Sequence, residues 1–426
     1  MSRSGQVVRS IRSPAARAVH GKVLRTATLL YIASVPFDVL PVLDGHTVSP
    51  FFAVLLVVAW VVDHWSRATR ACLRKGVQAW AYAAVVWLTA TLAWTADPVA
   101  SRRAWLGVVT LLAVTVVLID VLVGVLFHRA LQVASLSSAV LATALLLAPA
   151  DPNRADRASV DGVNEMGLAY VVAFGAACAA YLVVRESRYL HVVTFVLCFG
   201  AALHVGSRTG ALAVLAVAVL AAFPQRSGAR PGTAARHVAL VTGGALLVTL
   251  ALRALGAIPD RVYGSIADMV AGDPDRQRIS EFYFAYIDDW IWRGVGPGSD
   301  ASFLVQRTGT YLNSHNLLWR VWIETGIVGV ALLAAVTICA AVRVVRSDRR
   351  LLVIMIGIPS LLFAVTFGSY LHATLWLSGA IIFAGGRSVP AWRASTFRGR
   401  TSTTGGAPAE LSAADREGSR NAGAVE

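Results

Sequence analysis

Twelve apolar stretches follow one another along the chain, at 26–43, 48–63, 77–94, 104–126, 130–149, 165–184, 188–206, 209–223, 236–257, 317–342, 351–368 and 371–386. Several approach the ~20 residues a helix needs to cross a hydrocarbon core, and the shorter ones can tilt, break or borrow flanking residues. In lipid a backbone must satisfy its own hydrogen bonds, which a helix does within one segment. The pattern therefore predicts an all-α, polytopic membrane protein with about 12 transmembrane helices. The polar remainder divides the chain into a basic arm at 1–24, a transmembrane domain at 25–386 and a low-complexity tail at 387–426. Both ends are expected to be disordered and cytoplasmic.

Composition agrees. Of 426 residues, 56% are hydrophobic and 15% charged, with a mean hydropathy of +0.63. A soluble chain usually carries about 25% charged residues. The formal charge of +14 raises the question of nucleic acid. Its distribution answers it, because the arginines sit between apolar stretches and at the termini rather than along one soluble face. No nucleic-acid partner is expected. Basic connections (Arg67, Arg70, Arg74 and Lys75; His128 and Arg129; Arg185 and Arg188; Arg226, Arg230 and Arg236; Arg343, Arg346, Arg349 and Arg350) alternate with connections holding Asp44, Asp97, Asp151, Asp156 and Asp161. That alternation is the positive-inside pattern of a cytoplasmic membrane protein with both termini inside. Cys72, Cys178, Cys198 and Cys339 lie in or beside apolar stretches without CxxC spacing, so neither disulfide nor metal is expected. The first apolar stretch follows a long basic arm and lacks a clear cleavage site, so no cleavable signal peptide is expected.

One connection is long. Residues 258–316 place eight carboxylates against five arginines and add Tyr263, Phe282, Tyr283, Phe284, Tyr286, Trp290, Trp292, Phe303 and Tyr311. By the alternation this loop is external. Long loops in compact proteins are usually functional, and carboxylates mixed with aromatic faces suit sugars; an interfacial aromatic belt accounts for single residues equally well.

Candidate chemistry clusters where this loop enters the next helix, in the string from Ser314 to Gly329 (SHNLLWRVWIETGIVG). Ser314 or Asn316 is placed to cap the helix. His315 then stands at the water–membrane boundary, and histidine's ordinary pKa of about 6.5 makes it a proton acceptor at neutral pH. Arg320 and Glu324 are spaced to pair along the helix. Gly326 and Gly329 offer a flank that another helix could approach closely. Asp38 and Asp120, within apolar stretches, are expected to hydrogen-bond between helices; His204 and His372 are lesser candidates near the external face. No repeat of 20–50 residues, Walker loop, HExxH, DxD with a flanking nucleotide fold or serine-nucleophile motif stands out, which argues against ATPases, metalloproteases and nucleotide-sugar transferases.

The string resembles the signature of the O-antigen ligase-like family, from His315 and Asn316 across nine residues to Gly326 and Gly329. Three other pieces resemble the family in the same order: Asn164 in VDGVNEMGLAY, Ser207-Arg208-Thr209-Gly210, and Gly294-Val-Gly296-Pro-Gly298 preceded by Arg276 and Arg278. The resemblance spans about residues 25–386. It implies a glycosyltransferase that needs no cofactor or essential metal and acts at the outer face of the cytoplasmic membrane. The donor would be an undecaprenyl-diphosphate-linked glycan, and the acceptor hydroxyl would belong to a glycan, lipid or protein. His315 would be the general base. Arg208 and one of Arg276 and Arg278 would hold the diphosphate through the planar guanidinium fork. Asn164, Asn316, Arg320, Glu324, Gly326 and Gly329 would support them. The same resemblance leaves open a polysaccharide polymerase, and a transporter is the reading from another class.

Overall fold

A computed structural model of the chain describes residues 14–40, 47–64, 76–122, 124–148, 165–186, 188–222, 231–256, 274–309, 314, 316–345, 347, 349–366 and 369–385. All regular secondary structure among them is helical. The first nine helices are α1 (Pro14–Ser34), α2 (Ser49–His64), α3 (Gly76–Thr91), α4 (Pro98–Val121), α5 (Val125–Leu147), α6 (Glu165–Glu186), α7 (Tyr189–His204), α8 (Arg208–Ala222) and α9 (Pro231–Ala254). The long connection is itself helical in part, with α10 (Pro274–Ala285), α11 (Ile287–Trp290) and α12 (Asp300–Thr308). The chain closes with α13 (Leu317–Val345), α14 (Arg350–Thr366) and α15 (Ala373–Gly385).

Among the described residues the apolar stretches lie mostly on helices, although 104–126 runs past the end of α4 into the start of α5, and α1 reaches back to Pro14, inside the stretch read as a polar arm. The tail and the residues before Pro14 lie outside the described residues. Helices α4, α5 and α6 and the Leu317–Val342 part of α13 are long and apolar enough to cross a membrane, and seven further apolar helices are shorter. This is a membrane protein.

Burial separates its helices into two kinds. Of the most apolar window of α6, 94% is buried, against 17% for α13. Helix α6 is rich in alanine and glycine, and these let its neighbours approach closely. A Cβ at Gly175 would fall 2.2 Å from the Ser138 Cβ on α5. Without a hydrophobic force between helices in lipid, this kind of close contact is what holds them together. Helix α13 instead leaves Ile327, Val328, Ile338 and Val342 exposed, as a lipid-facing helix does.

Asp38 and Asp120 each form a hydrogen bond to another element. Asp120 accepts from the Trp60 indole (3.2 Å), joining α4 to α2. Asp38 accepts from the Ser49 hydroxyl (2.5 Å), but it lies on a 3-10 turn at Val35–Val39 rather than within α1. The described cysteines, Cys178, Cys198 and Cys339, carry free thiols.

Candidate functional site

Helix α13 is broken near its start. Gly326 has φ +66° and ψ −169°, a conformation reached almost only by glycine. A break inside a helix orphans backbone groups that must find partners when buried. The glycine turn of the long connection supplies them. The Ile323 carbonyl, deprived of its helical partner, accepts from the Val295 N–H (2.9 Å), and the Glu324 carbonyl accepts from the Gly296 N–H (2.9 Å). The freed Ile327 N–H donates to the Ile291 carbonyl (3.0 Å). The Thr325 carbonyl accepts from the Trp87 indole on α3 (2.8 Å).

The fit leaves no room for side chains. A Cβ on Gly326 would sit 2.2 Å from the Trp292 carbonyl oxygen, and one on Gly294 2.3 Å from that of Glu324. The two glycine-bearing pieces, about thirty residues apart, are therefore one structural unit. This corrects the reading of Gly326 and Gly329 as a seam for another helix. Gly326 admits the Trp292–Arg293 backbone, and Gly329 leaves space for Thr325 of its own helix.

One turn before the break lies a buried polar network. The Arg320 Nε donates to Glu324 Oε1 (2.9 Å), and its Nη2 lies 3.4 Å from Asp300 Oδ1. Tyr370, in the α14–α15 connection, donates its hydroxyl to the other Glu324 oxygen. Glu324 is 0% exposed and Asp300 1%. Breaking such a network on one side costs about 3–5 kcal/mol, because a charge is left buried alone. Loss of solvation and then the Glu324 carboxylate hold the Tyr370 phenol well above its ordinary range, so it acts as a donor. Burial first, and Asp300 next, push the Tyr283 phenol up in the same way.

The network also fixes the entry to α13. Ser314 donates its N–H (3.4 Å) and its hydroxyl (3.2 Å) to Asp300 Oδ2. Asn316 is the cap: its Oδ1 accepts from the Leu318 N–H (2.8 Å) and the Trp319 N–H (3.3 Å). His315 lies outside the described residues, but both of its chain neighbours are tied down. Trp290, Trp319 and Trp322 pack against one another, with Trp319 and Trp322 stacked at 5.8 Å.

The loop is anchored on its other side by Asp97, which caps α4 through Val99 (3.0 Å) and Ala100 (2.9 Å) and accepts from the Ser302 hydroxyl (2.8 Å). The Ala100 N–H and then Ser302 hold its carboxyl below the ordinary aspartate value.

The remaining candidates lie elsewhere. Arg208 opens α8, half-buried, and Ser207 caps that helix through the Gly210 N–H (3.2 Å). Ser207 also lies 3.6 Å from the Met166 sulfur in the first turn of α6. Arg278 is exposed on α10 and stands 5.7 Å from the Phe282 ring centre. Arg276 falls within α10, with its side chain outside the description, and Asn164 lies outside the described residues. His372 adjoins Gly167 of α6 and stands 5.6 Å from the Tyr170 ring, so the 370–372 corner links the first turn of α6 to the Glu324 network.

The structure thus joins Arg320 and Glu324 to Asp300 and Tyr370; Arg208 is not among the four. Sequence reasoning counted Asp300 only as one more loop acid and passed over Tyr370. Its one available signal was a tyrosine in a short connection between apolar stretches. Comparison of the chain with protein-family models, curated proteins and solved structures returned no match.

Proposed function

We propose that this protein transfers a glycan from undecaprenyl diphosphate to an acceptor hydroxyl at the outer face of the cytoplasmic membrane, in the manner of O-antigen ligase-like enzymes. One observation carries the reading: the two family-like strings, 294–298 and 314–329, interlock through the break at Gly326. That interlock makes the two strings one structural unit, which supports reading them together.

In the proposed reaction the acceptor oxygen attacks the anomeric carbon while His315 takes its proton. The bond from that carbon to the phosphate oxygen breaks, and undecaprenyl diphosphate departs with the electron pair. Direct displacement inverts the anomeric centre. Negative charge grows on the leaving diphosphate, so cations already in place favour the transition state over the ground state. Arg208, at a helix N-terminus that itself attracts anions, is assigned to this task with Arg276 or Arg278. Arg320 is given a positioning role, since its guanidinium is already committed to Glu324 and Asp300.

The direct test is reconstitution of purified protein with a lipid-diphosphate glycan and a separate acceptor. Release of undecaprenyl diphosphate coupled to glycosylated acceptor is the expected result. Movement of intact donor across the bilayer without bond cleavage would instead establish a transporter.

Two expected outcomes sharpen the test. Arg208→Lys keeps the charge but loses the planar fork, and should lower transfer on the order of 10²-fold. Wild-type transfer by that variant would remove Arg208 from the diphosphate site. For topology, single cysteines placed by Asp273→Cys and Asp348→Cys in a cysteine-free background should label from outside at 273 and not at 348. The reverse pattern in intact cells would put the long connection, and the site with it, on the cytoplasmic side.

A further inference from the structure

Helix α13 is longer than a membrane crossing requires. Its 29 residues rise about 43 Å, against about 30 Å for a hydrocarbon core. The part from Gly326 to Val345 alone rises about 29 Å, and the part from Leu317 to Gly326 is a surplus of about 14 Å. We propose that the lipid headgroup layer on the side of the long connection meets the protein at the Gly326 break, anchored by Trp292, Arg102 and Arg103. Leu317–Thr325 and the network of Arg320, Glu324 and Asp300 then stand outside the hydrocarbon. This placement depends on the spans alone and not on glycan transfer.

Burial changes character at the break. Between Leu317 and Gly326 only Leu318 is exposed, and Phe284, Trp290 and Asp300 of the long connection pack against this stretch. From Ile327 to Val342 the exposed residues are apolar apart from Thr337, whose hydroxyl donates to the Leu333 carbonyl (2.9 Å). Charge follows the same division. Arg320 and Glu324 precede the break, and no charged residue falls between Gly326 and Val342. A charge in hydrocarbon is costly, so lipid belongs against the second part and not the first.

Neighbouring helices end at the same level. Helix α3, extended by a 3-10 turn at Leu92–Trp94, rises about 30 Å. Its far end is tied to the break. Besides the Trp87 bond to Thr325, the Trp94 indole donates to the Arg293 carbonyl (3.3 Å) and the Ala96 N–H to the Val295 carbonyl (2.9 Å). On α4, a Cβ at Gly298 would fall 2.8 Å from the Ala104 Cβ, which puts the glycine turn beside Arg102 and Arg103. Both arginines are exposed, and from Arg103 to Val121 the helix rises about 27 Å. Arginines at the rim of a crossing extend to the headgroups, whose phosphates match the guanidinium fork. Trp292 is 72% exposed, and its carbonyl is the group that Gly326 admits. An exposed indole at that depth suits the headgroup layer, where tryptophan is enriched.

The consequence for the candidate site is one of height. Asn316 stands about 15 Å beyond the break, clear of the hydrocarbon rather than at its edge. The test places nitroxide labels by Leu318→Cys, Trp292→Cys, Val328→Cys and Ala334→Cys, one at a time, in cysteine-free full-length protein reconstituted in phospholipid vesicles. Relaxation by oxygen and by a water-soluble nickel chelate reads the depth of each label. The label at 318 should respond to nickel as an aqueous site does, and that at 292 should read at the headgroups. The label at 334 should lie about 9 Å deeper than that at 328. If the hydrocarbon began at Asn316 instead, 318 would read inside it. Position 328 would then be deeper than 334, which would approach the opposite surface. Either result would overturn the proposal, as would a label at 292 as deep as that at 334. No step of this readout involves transfer, so an inactive protein with the expected depths would remove glycan transfer and leave the lipid-contact surface in place.

Discussion

Gly326→Ala should prevent accumulation of the folded protein, or sharply lower its thermal stability in detergent. Two costs combine. The residue occupies φ +66° and ψ −169°, where an alanine pays roughly 3 kcal/mol in backbone strain. The new methyl would also meet the Trp292 carbonyl at 2.2 Å, and that backbone cannot retreat without releasing the Ile327–Ile291, Val295–Ile323 and Gly296–Glu324 bonds. Those bonds satisfy backbone groups that the break sets free, so moving the loop would leave them buried and unsatisfied. A control separates this from the general effect of glycine replacement in a membrane helix. Gly357, on α14, has nothing within 4 Å of its would-be Cβ, and Gly357→Ala should be neutral or mildly stabilising. Detergent-extracted yield on size exclusion and a melting curve measure both. A Gly326→Ala protein with wild-type yield and melting would show that the helix break is not required.

The sequence and the structure part company at the same place. The helices were legible because the apolar blocks are long, and some block ends fall close to helix ends, as at Glu165 and Arg350, whereas α1 begins at Pro14, well before its block. The cap at Asn316 and the Arg320–Glu324 pair were legible because both are local and set by spacing. The break at Gly326 was not. A lone glycine three residues before another reads as a packing flank, since nothing local says that the chain leaves helical geometry there. What stabilises the break is a turn about thirty residues upstream, and pairing between distant backbone segments leaves no periodic trace. Asp300 and Tyr370 were hidden for the same reason: each reaches the network from a different connection, and neither shares a spacing with Arg320.

The break and the network together also suggest how the site is kept in shape. Arg320 draws Asp300 and Glu324 toward one point, Asp300 holds Ser314, and Tyr370 brings in the α14–α15 corner. Four separate chain segments thus meet at this network. A catalytic group is only as well placed as the residues that hold it, and under the proposed reading this buried network would hold the segment that carries His315.

His315→Ala should fold and insert like wild type yet transfer glycan on the order of 10³-fold more slowly, within the range that a general base contributes. Its fold is expected to survive because the tethers on either side belong to other residues: Ser314 to Asp300, and Asn316 to the first turn of α13. The base must lie within hydrogen-bond reach of the acceptor hydroxyl, and histidine's ordinary pKa of about 6.5 leaves the neutral, proton-accepting form abundant at neutral pH. Donor binding does not use that proton transfer. Binding should persist in the alanine variant, because the diphosphate is assigned to Arg208 with Arg276 or Arg278. Donor affinity and transfer rate measured on one purified preparation separate the possibilities. Weak binding with transfer intact per bound donor would make His315 a donor anchor. Undiminished transfer would take it out of the mechanism and leave the Glu324 network without a catalytic group to position.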